Sequence, residues 1–206
     1  MFALIENQQI TKFYNSNKGV IIGDNQYPKS IFTLWSEAQR NAIGIFEVTV
    51  DTTNKKNEEW YINTNISYGV ESNKAVGSYG IATPKAHADT LWTEQDKTDG
   101  LIPDDKDVGD VKVEGLKTIL IRKVKKQAAQ ILQDTDWYII RKADAGTAVP
   151  SSVTTHRAAV RTKCAEMETA ITNASDTPAL EILYTYTKQE DGSVTRPLGE
   201  LPRLES

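Results

Sequence analysis

The sequence is poor in the side chains that most often make metal sites and nucleophilic active sites. It has one cysteine, Cys164, and two histidines, His87 and His156, among 206 residues. A single cysteine cannot form a disulfide within the chain, so nothing indicates an oxidising compartment. Zinc sites usually combine several Cys or His ligands, and these three residues are far apart in the sequence. We therefore expect no metal site.

The sequence also lacks the motifs of common enzyme classes. Gly-x-Ser-x-Gly and Walker-type loops do not occur, and Gly77-Ser78-Tyr79-Gly80 has neither the spacing nor the following helix of a phosphate loop. A lone His156 lacks the partners that acid–base catalysis requires. The acidic run 104–107 lacks the ligand spacing of a calcium loop. We expect no catalytic residues and no cofactor.

Strong charge and long apolar runs are absent as well. The formal charge is -4, and no apolar run approaches the length of a membrane span. Residues 1–10 lack the basic start and apolar centre of a signal peptide. The basic run Arg122–Lys126 has no interleaved aromatic residues and is typical of a solvated helix face. Neither nucleic acid nor membrane is expected as a partner.

What the sequence does contain predicts an α+β protein that opens with a small β unit. Phe2–Ile5 and Ile10–Tyr14 are short apolar runs that flank a polar turn, which indicates a hairpin. Ser36 is typical of a helix N-cap, and Gly44 is expected to end that short helix. Residues 45–50 then form a strand pattern.

The middle of the chain is β-rich and then becomes polar. Residues 60–70 and 74–83 alternate aromatic or β-branched residues with polar ones, and residues 71–73 suit a turn between them. Residues 93–110 are rich in Asp, Lys, Gly and Pro, which predicts a linker.

Helical periodicity begins near Val111 and again near Val153. The first apolar stripe consists of Val113, Leu116, Leu120, Val124, Ala128 and Ile131. The second consists of Val153, Val160, Cys164, Met167 and Ile171. Pro150 suits a helix start with Ser151 or Ser152 as its cap, and Arg157 and Arg161 are expected on the polar face of that helix.

The last part of the chain predicts a second hairpin. Residues 180–186 alternate like a strand, residues 190–193 form a strong turn signal, and Val194 opens a returning strand. The predicted segments are thus an N-terminal β unit (1–50), a β-rich middle (51–92), a linker (93–110), a two-helix hairpin (111–178), and a C-terminal hairpin with a tail (179–206).

The helical region resembles a known group of proteins. Leu132-Gln133-Asp134-Thr135-Asp136-Trp137, then Val149-Pro150, then His156-Arg157-Ala158-Ala159-Val160-Arg161 resemble small tail proteins of bacteriophages and prophages, in the tail-fibre assembly and tail assembly chaperone families. In those families a helix often ends in Leu-x-x-Thr-Asp-Trp. A short extended stretch follows, and then a proline-initiated helix with Tyr-Arg-x-x-Leu-Arg. His156 replaces the usual aromatic residue, which is a departure from the pattern.

The amino end carries a second resemblance. Residues 1–7 with Gln9-Ile10-Thr11, then Tyr27-Pro28, then residues 43–48 are similar to the small β unit that opens many of these tail proteins. Together the two matches cover roughly residues 1–50 and 113–172. Residues 51–112 and 173–206 have no counterpart in the pattern.

The resemblance implies a non-catalytic virion protein of the tail, made in the host cytoplasm. Its partners would be other tail proteins of the fibre or baseplate, and a homo-oligomer or a place in a symmetric assembly is expected. One alternative is a transient tail-fibre assembly chaperone. An alternative of another class is a carbohydrate-binding module that stacks sugars on Trp60, Tyr61, Tyr68 and Tyr79, although Trp60 and Tyr61 would face opposite sides of a strand.

The matched motif also implies the residues of the candidate site. Thr135 and Asp136 can satisfy backbone groups where the first helix ends. Trp137 is expected to fold its ring between the two helices and to bury on the order of 200 Å². Arg141, Arg157 and Arg161 offer planar donors for carboxylates of this chain or of a partner. Alternatively, all of these residues serve only to hold the helical hairpin together.

Overall fold

The computed structural model describes residues 1–16 and 18–204 and has the α+β class expected from the sequence. The chain divides into two compact units, Met1–Thr83 and Pro84–Ser206. Helices and strands occur in both units, and each unit is described by itself below.

The first unit is built on a five-stranded sheet. Its strands are β1 (Phe2–Glu6), β2 (Gln9–Tyr14), β5 (Ile45–Asp51), β7 (Ile66–Glu71) and β8 (Lys74–Tyr79), in the order β2-β1-β5-β8-β7. All neighbours are antiparallel except β5 and β8, which are parallel. The smaller elements are β3 (Val20–Ile22), β4 (Asn25–Tyr27), α1 (Ile31–Leu34), α2 (Glu37–Asn41), β6 (Tyr61–Ile62) and, at the boundary, β9 (Thr83–Pro84).

Two tight turns set the register of this sheet. Asn7 and Gln8 have φ of 50° and 63°, and Ser72 and Asn73 have φ of 49° and 59°. Two consecutive residues of positive φ are the signature of the two-residue hairpin turn whose twist matches that of its strands. The first predicted hairpin is confirmed, and the second is present but shorter than predicted, with residues 66–71 paired to residues 74–79.

The predicted cap of the short helix α2 is also confirmed. The Ser36 hydroxyl accepts a hydrogen bond from the Gln39 amide, and the Gln39 side chain accepts one from the Ser36 amide, which together make a capping box. Gly44 was expected to end this helix, but α2 already ends at Asn41 with Ala42 as its C-cap, and Gly44, at φ +81°, turns the chain into β5.

The core of the first unit lies on the face of the sheet that α1 and the β3–β4 hairpin cover. It consists of Phe2, Leu4, Tyr14, Val20, Ile31, Phe32 and Ile45. The sheet curls, so that its two edge strands approach each other. Gln8 Nε2 donates to Asn73 Oδ1 at 3.0 Å, and the rings of Phe13 and Tyr68 meet edge to face at 4.9 Å.

The second unit is mainly helical. Its helices are α3 (Glu94–Thr98), α4 (Leu116–Gln133), α5 (Asp136–Ala145), α6 (Ser151–Asn173) and α7 (Thr177–Tyr184). Its strands are β10 (Thr90–Leu91) with β11 (Val111–Val113), and β12 (Thr187–Lys188) with β13 (Val194–Thr195). Residues 93–110, predicted as a linker, hold α3 and lie inside this unit.

The two long helices α4 and α6 pack antiparallel. Lys117 Nζ at the start of α4 donates to the Thr172 carbonyl near the end of α6 at 2.8 Å, and Lys125 pairs with Glu168 at 3.0 Å. The predicted stripes are confirmed where they face each other: the buried residues are Leu116, Leu120, Val124 and Ala128 on α4 with Val153, Val160, Cys164, Met167 and Ile171 on α6.

The start of the first helix was predicted wrongly. Val111–Val113 form β11, and the helix begins only at Leu116, with Gly115 as its N-cap.

The side chain of Asp89 caps the start of α4. Gly115 has no side chain that could accept hydrogen bonds from the first turn of the helix, and Asp89 supplies the acceptors instead. Its carboxylate accepts from the Gly115 amide at 2.7 Å and from the Thr118 hydroxyl at 2.8 Å. These two hydrogen bonds hold the pKa of Asp89 below its ordinary value.

Two further expectations about this unit are wrong. Residues 180–186 do not begin the last hairpin, since residues 177–184 form helix α7, with the Asp176 carboxylate as cap and Pro178 in its first turn. The terminal hairpin is present but consists of β12 and β13 alone. Neither Ser151 nor Ser152 caps α6, whose N-cap position is Pro150.

Candidate functional site

The motif residues lie where α4 ends and α5 begins. The Thr135 side chain, in a residue only 3% exposed, donates a hydrogen bond to the Leu132 carbonyl at 3.0 Å. This carbonyl belongs to the last turn of α4, where backbone acceptors lack partners within the helix. The predicted role of Thr135 at the helix end is therefore confirmed.

Arg157 of α6 is the centre of this junction. Its Nη1 donates to the Leu132 carbonyl and to the Thr135 hydroxyl, both at 2.7 Å, and its Nη2 lies 2.8 Å from Asp136 Oδ1. Arg157 is buried, with 8% of its surface exposed, whereas the sequence placed it on the polar face of its helix. The burial is tolerated because two neutral acceptors and one carboxylate satisfy the guanidinium.

Trp137 does not lie between the two helices, so that prediction is wrong. Half of its surface, 50%, is exposed. Asp136 faces Arg157, and successive helical residues point about 100° apart, so the next side chain turns away from the junction. In addition, the chain after Trp137 is not extended but forms the ten-residue helix α5, which ends at Gly146 in the left-handed conformation.

The Trp137 ring stacks instead on residues of its own helix. It lies 4.1 Å from the Tyr138 ring, centroid to centroid. The Arg141 guanidinium lies 4.6 Å from the centre of the Trp137 ring and 5.6 Å from that of Tyr138. Arg141 Nε is shielded from solvent and has no hydrogen-bond partner within residues 1–16 and 18–204. This cation is held by rings and not by a carboxylate.

These contacts leave one side of α5 apolar and open. Trp137, Ile140 and Arg141 share one side of the helix, because residues three and four apart are neighbours on a helical surface. We call these three residues the α5 face. Ile140 is 66% exposed, and α5 as a whole contains no buried residue.

Arg161 is separate from both groups. It is exposed on α6 and lines a groove of about 310 Å³ with Leu132, Cys164 and Glu168.

The predicted site residues therefore fall into three places. The structure brings Asp136 and Arg157 together at the junction and places Trp137 and Arg141 together on the α5 face. Arg161 lies apart from both, in the groove. Sequence reasoning missed Ile140, although its three-residue spacing from Trp137 could have indicated it once a helix was assumed.

The residues considered for chemistry have ordinary structural surroundings. His156 is buried on α6. Cys164 is buried as well, and its burial together with its hydrogen bond to Glu168 raises the pKa of its thiol. In the described part of the chain, no three or more His, Cys, Asp and Glu side chains are grouped so that they could hold a metal ion. Among the same residues, no helix combines the length and the apolar character that crossing a membrane requires.

Comparison of the chain with models of known protein families, with curated proteins and with solved structures finds no match.

Proposed function

We propose that this chain is a non-catalytic protein of a bacteriophage tail that acts by protein–protein contact through the α5 face. We propose further that it stays in the particle as a tail, baseplate or fibre-attachment component. The family suggestion rests on the sequence resemblance around Leu132–Trp137 and residues 156–161. The mode of action rests on the geometry of α5.

The observation that carries the proposal is the composition of the α5 face. A tryptophan and an isoleucine, exposed by 50% and 66%, flank an arginine that pairs with no carboxylate in the described residues. Tryptophan and arginine are enriched among the few residues that dominate the energetics of protein interfaces. Docking would cover the apolar area and give Arg141 a partner carboxylate.

The junction supports this role because it holds α5 in place without burying it. Arg157 binds the end of α4 and the first residue of α5 through Leu132, Thr135 and Asp136. A helix fixed at one end presents its side chains in a defined geometry, which lowers the entropy lost on binding.

The buried position of Trp60 weakens the alternative of a carbohydrate-binding module. Trp60 is only 3% exposed, so its ring does not offer a stacking surface. Tyr68 packs edge to face against Phe13, and the Lys55 ammonium lies 5.7 Å from the centre of the Tyr79 ring. The burial of Trp60 and the contacts of Tyr68 and Tyr79 within the chain thus weaken the case for sugar stacking on these rings.

Quantitative mass spectrometry of gradient-purified phage particles tests the proposal. We expect the chain at a fixed stoichiometric ratio to known tail proteins. Its absence from particles, combined with its recovery on unassembled fibre subunits in the lysate, would support the assembly chaperone instead. Absence from both would overturn the tail assignment.

A further inference from the structure

A cavity of about 760 Å³ opens in the second unit between α4, α6 and the C-terminal segment. Its walls include the apolar side chains of Ile131, Met167 and Leu201, of which Met167 is almost fully buried. Gln127 and Gln130 of α4 line it from exposed positions. The volume lies in the range of ligand-binding pockets, roughly 300–1,000 Å³.

One wall of the cavity already holds a carboxylate. The Arg196 guanidinium lies 5.2 Å from the ring centres of both Tyr184 and Tyr186 and pairs with Glu200 at 2.9 Å. The Tyr186 hydroxyl donates a hydrogen bond to the same carboxylate. A guanidinium held between two rings, with a phenol beside it, is a pre-organised arrangement for carboxylate recognition.

A second guanidinium lines the cavity without such a partner. Arg203 is exposed, and no carboxylate within residues 1–16 and 18–204 pairs with it. The charged lining is therefore two arginines, Arg196 and Arg203, against one glutamate, Glu200. This excess of positive charge favours an anionic occupant.

We propose that this cavity binds a short acidic peptide segment of a partner protein, independently of the α5 face. An apolar side chain of the peptide packs on Ile131 and Leu201, and an adjacent carboxylate pairs with Arg203. The amides of Gln127 and Gln130 each offer a donor and an acceptor, which match the N–H and C=O groups of a peptide backbone.

The chemistry favours a peptide over a free anion such as phosphate. An apolar floor gives a phosphate no partner, and only one of the two guanidinium groups is unpaired. A peptide with alternating apolar and acidic residues uses the floor, the amides and Arg203 together. Glu200, whose side chain is 60% exposed, occupies the Arg196 guanidinium and the Tyr186 hydroxyl, and its charge opposes the approach of a second carboxylate.

Titration of the full chain with two acetylated, amidated pentapeptides tests this proposal. The probes are Leu-Glu-Leu-Glu-Leu and its matched control Leu-Gln-Leu-Gln-Leu, followed by NMR on the side-chain amides of Gln127 and Gln130. We expect the glutamate peptide to shift these signals and to bind about tenfold more tightly than the glutamine peptide, because it adds a charge-assisted hydrogen bond.

Three variants locate the contact. Arg203→Gln should weaken binding of the glutamate peptide about tenfold. Glu200→Gln should strengthen it, since the opposing charge is removed. Arg161→Gln, an exposed arginine of α6 outside the cavity lining, should leave it unchanged.

Several results would overturn the proposal. These are no binding at millimolar peptide, equal binding of both peptides, or no loss of affinity in Arg203→Gln while the chain stays folded by circular dichroism. Displacement of the glutamate peptide by an equal concentration of inorganic phosphate would show a site for simple anions instead.

Discussion

At the scale of single residues, we expect Arg157 to stabilise the helical unit more than an exposed arginine does. It is buried and serves two acceptors and a carboxylate, whereas Arg161, one turn further along α6, is exposed. A hydrogen bond from a charged group contributes about 1.5–3 kcal/mol, and exposed charges contribute little.

We predict that Arg157→Met lowers the free energy of unfolding by about 2–4 kcal/mol, because the Leu132 carbonyl and the Thr135 hydroxyl lose a buried donor. Arg161→Met is the matched control and should change it by less than about 0.5 kcal/mol. Urea unfolding followed by circular dichroism measures both. Equal stability of the two variants would contradict the assigned role of Arg157.

The hydrogen bonds around the Asp96 carboxylate can be tested at acidic pH. A hydrogen bond from the Lys112 side chain, followed by hydrogen bonds from Thr93, lowers the pKa of Asp96 from 3.8 to about 2. Because the folded-state pKa is the lower one, these contacts stabilise the fold fully above pH 4. The stabilisation decreases as the pH falls towards 2.

We predict that Lys112→Met raises the pKa of Asp96 towards its ordinary value of 3.8, because the largest cause of the shift is removed. NMR titration of the Asp96 carboxyl carbon measures the midpoint. Lys106→Met, which removes an exposed lysine of the neighbouring loop, is the control and should leave the midpoint in place. An unchanged midpoint in Lys112→Met would show that Thr93 alone holds the carboxylate ionised.

At the scale of elements, the start of α4 depends on close contact between two backbone segments. A Cβ on Gly115 would lie 2.3 Å from the carbonyl carbon and oxygen of Ala88. The amides of Leu116 and Lys117 donate to the carbonyls of Ala86 and His87, both at 3.0 Å. The first turn of α4 is thus fixed to residues 86–89.

We predict that Gly115→Ala destabilises the protein by about 2 kcal/mol or more, because neither backbone can move without breaking these bonds. Gly69→Ala is the control, since an added Cβ there meets nothing within 4 Å and should cost less than about 1 kcal/mol. Differential scanning calorimetry gives the comparison. A wild-type melting temperature for Gly115→Ala would mean that this contact is not tight.

In contrast to the Gly115 contact, we expect the α5 face to contribute little to stability, since its side chains are not part of the core. We predict that the double variant Trp137→Gln, Ile140→Gln keeps the free energy of unfolding within about 1 kcal/mol of the wild type. The exposed ring–cation contact is worth about 0.5–1 kcal/mol, and glutamine is a good helix former. Urea unfolding checks this, and a loss above 2 kcal/mol would show that the face stabilises the fold and is not reserved for binding.

The elements with local signals were predictable from the sequence, and those set by distant contacts were not. The opening hairpin, the Ser36 cap and the stripes of α4 and α6 follow from turn chemistry and periodicity. Helix α5 was missed because Trp137-Tyr138-Ile139-Ile140 is rich in residues that favour strands, although Gly146 marked a helix end. Helix α7 was missed although Asp176 followed by Pro178 is a helix-start signal.

In the candidate site, too, the local features were predictable from the sequence and those set by distant contacts were not. Thr135 was predicted at its helix end because that role is local. The burial of Arg157 depends on acceptors 22 and 25 residues away and on the exact crossing of two helices, which periodicity does not specify. With Arg157 filling the junction, Trp137 is left on the outer surface.

At the scale of the whole molecule, both proposed contact regions lie in the unit of residues 84–206. The α5 face is apolar with one unpaired arginine, and the cavity beside the C-terminal segment combines an apolar floor with arginines. Together the two proposals give one helical unit two distinct contact surfaces, as a component that joins proteins in an assembly would need.

The proposed contact through the α5 face is tested most directly by the incorporation of the double variant Trp137→Gln, Ile140→Gln into phage particles. Quantitative mass spectrometry compares particles purified from cells that express either the wild-type or the variant chain at equal soluble levels. We expect a stoichiometric amount of the wild-type chain and about a tenfold loss of the folded variant, because the variant lacks two interface anchors. Equal incorporation of both chains, or absence of the wild-type chain from particles, would contradict a tail role through the α5 face.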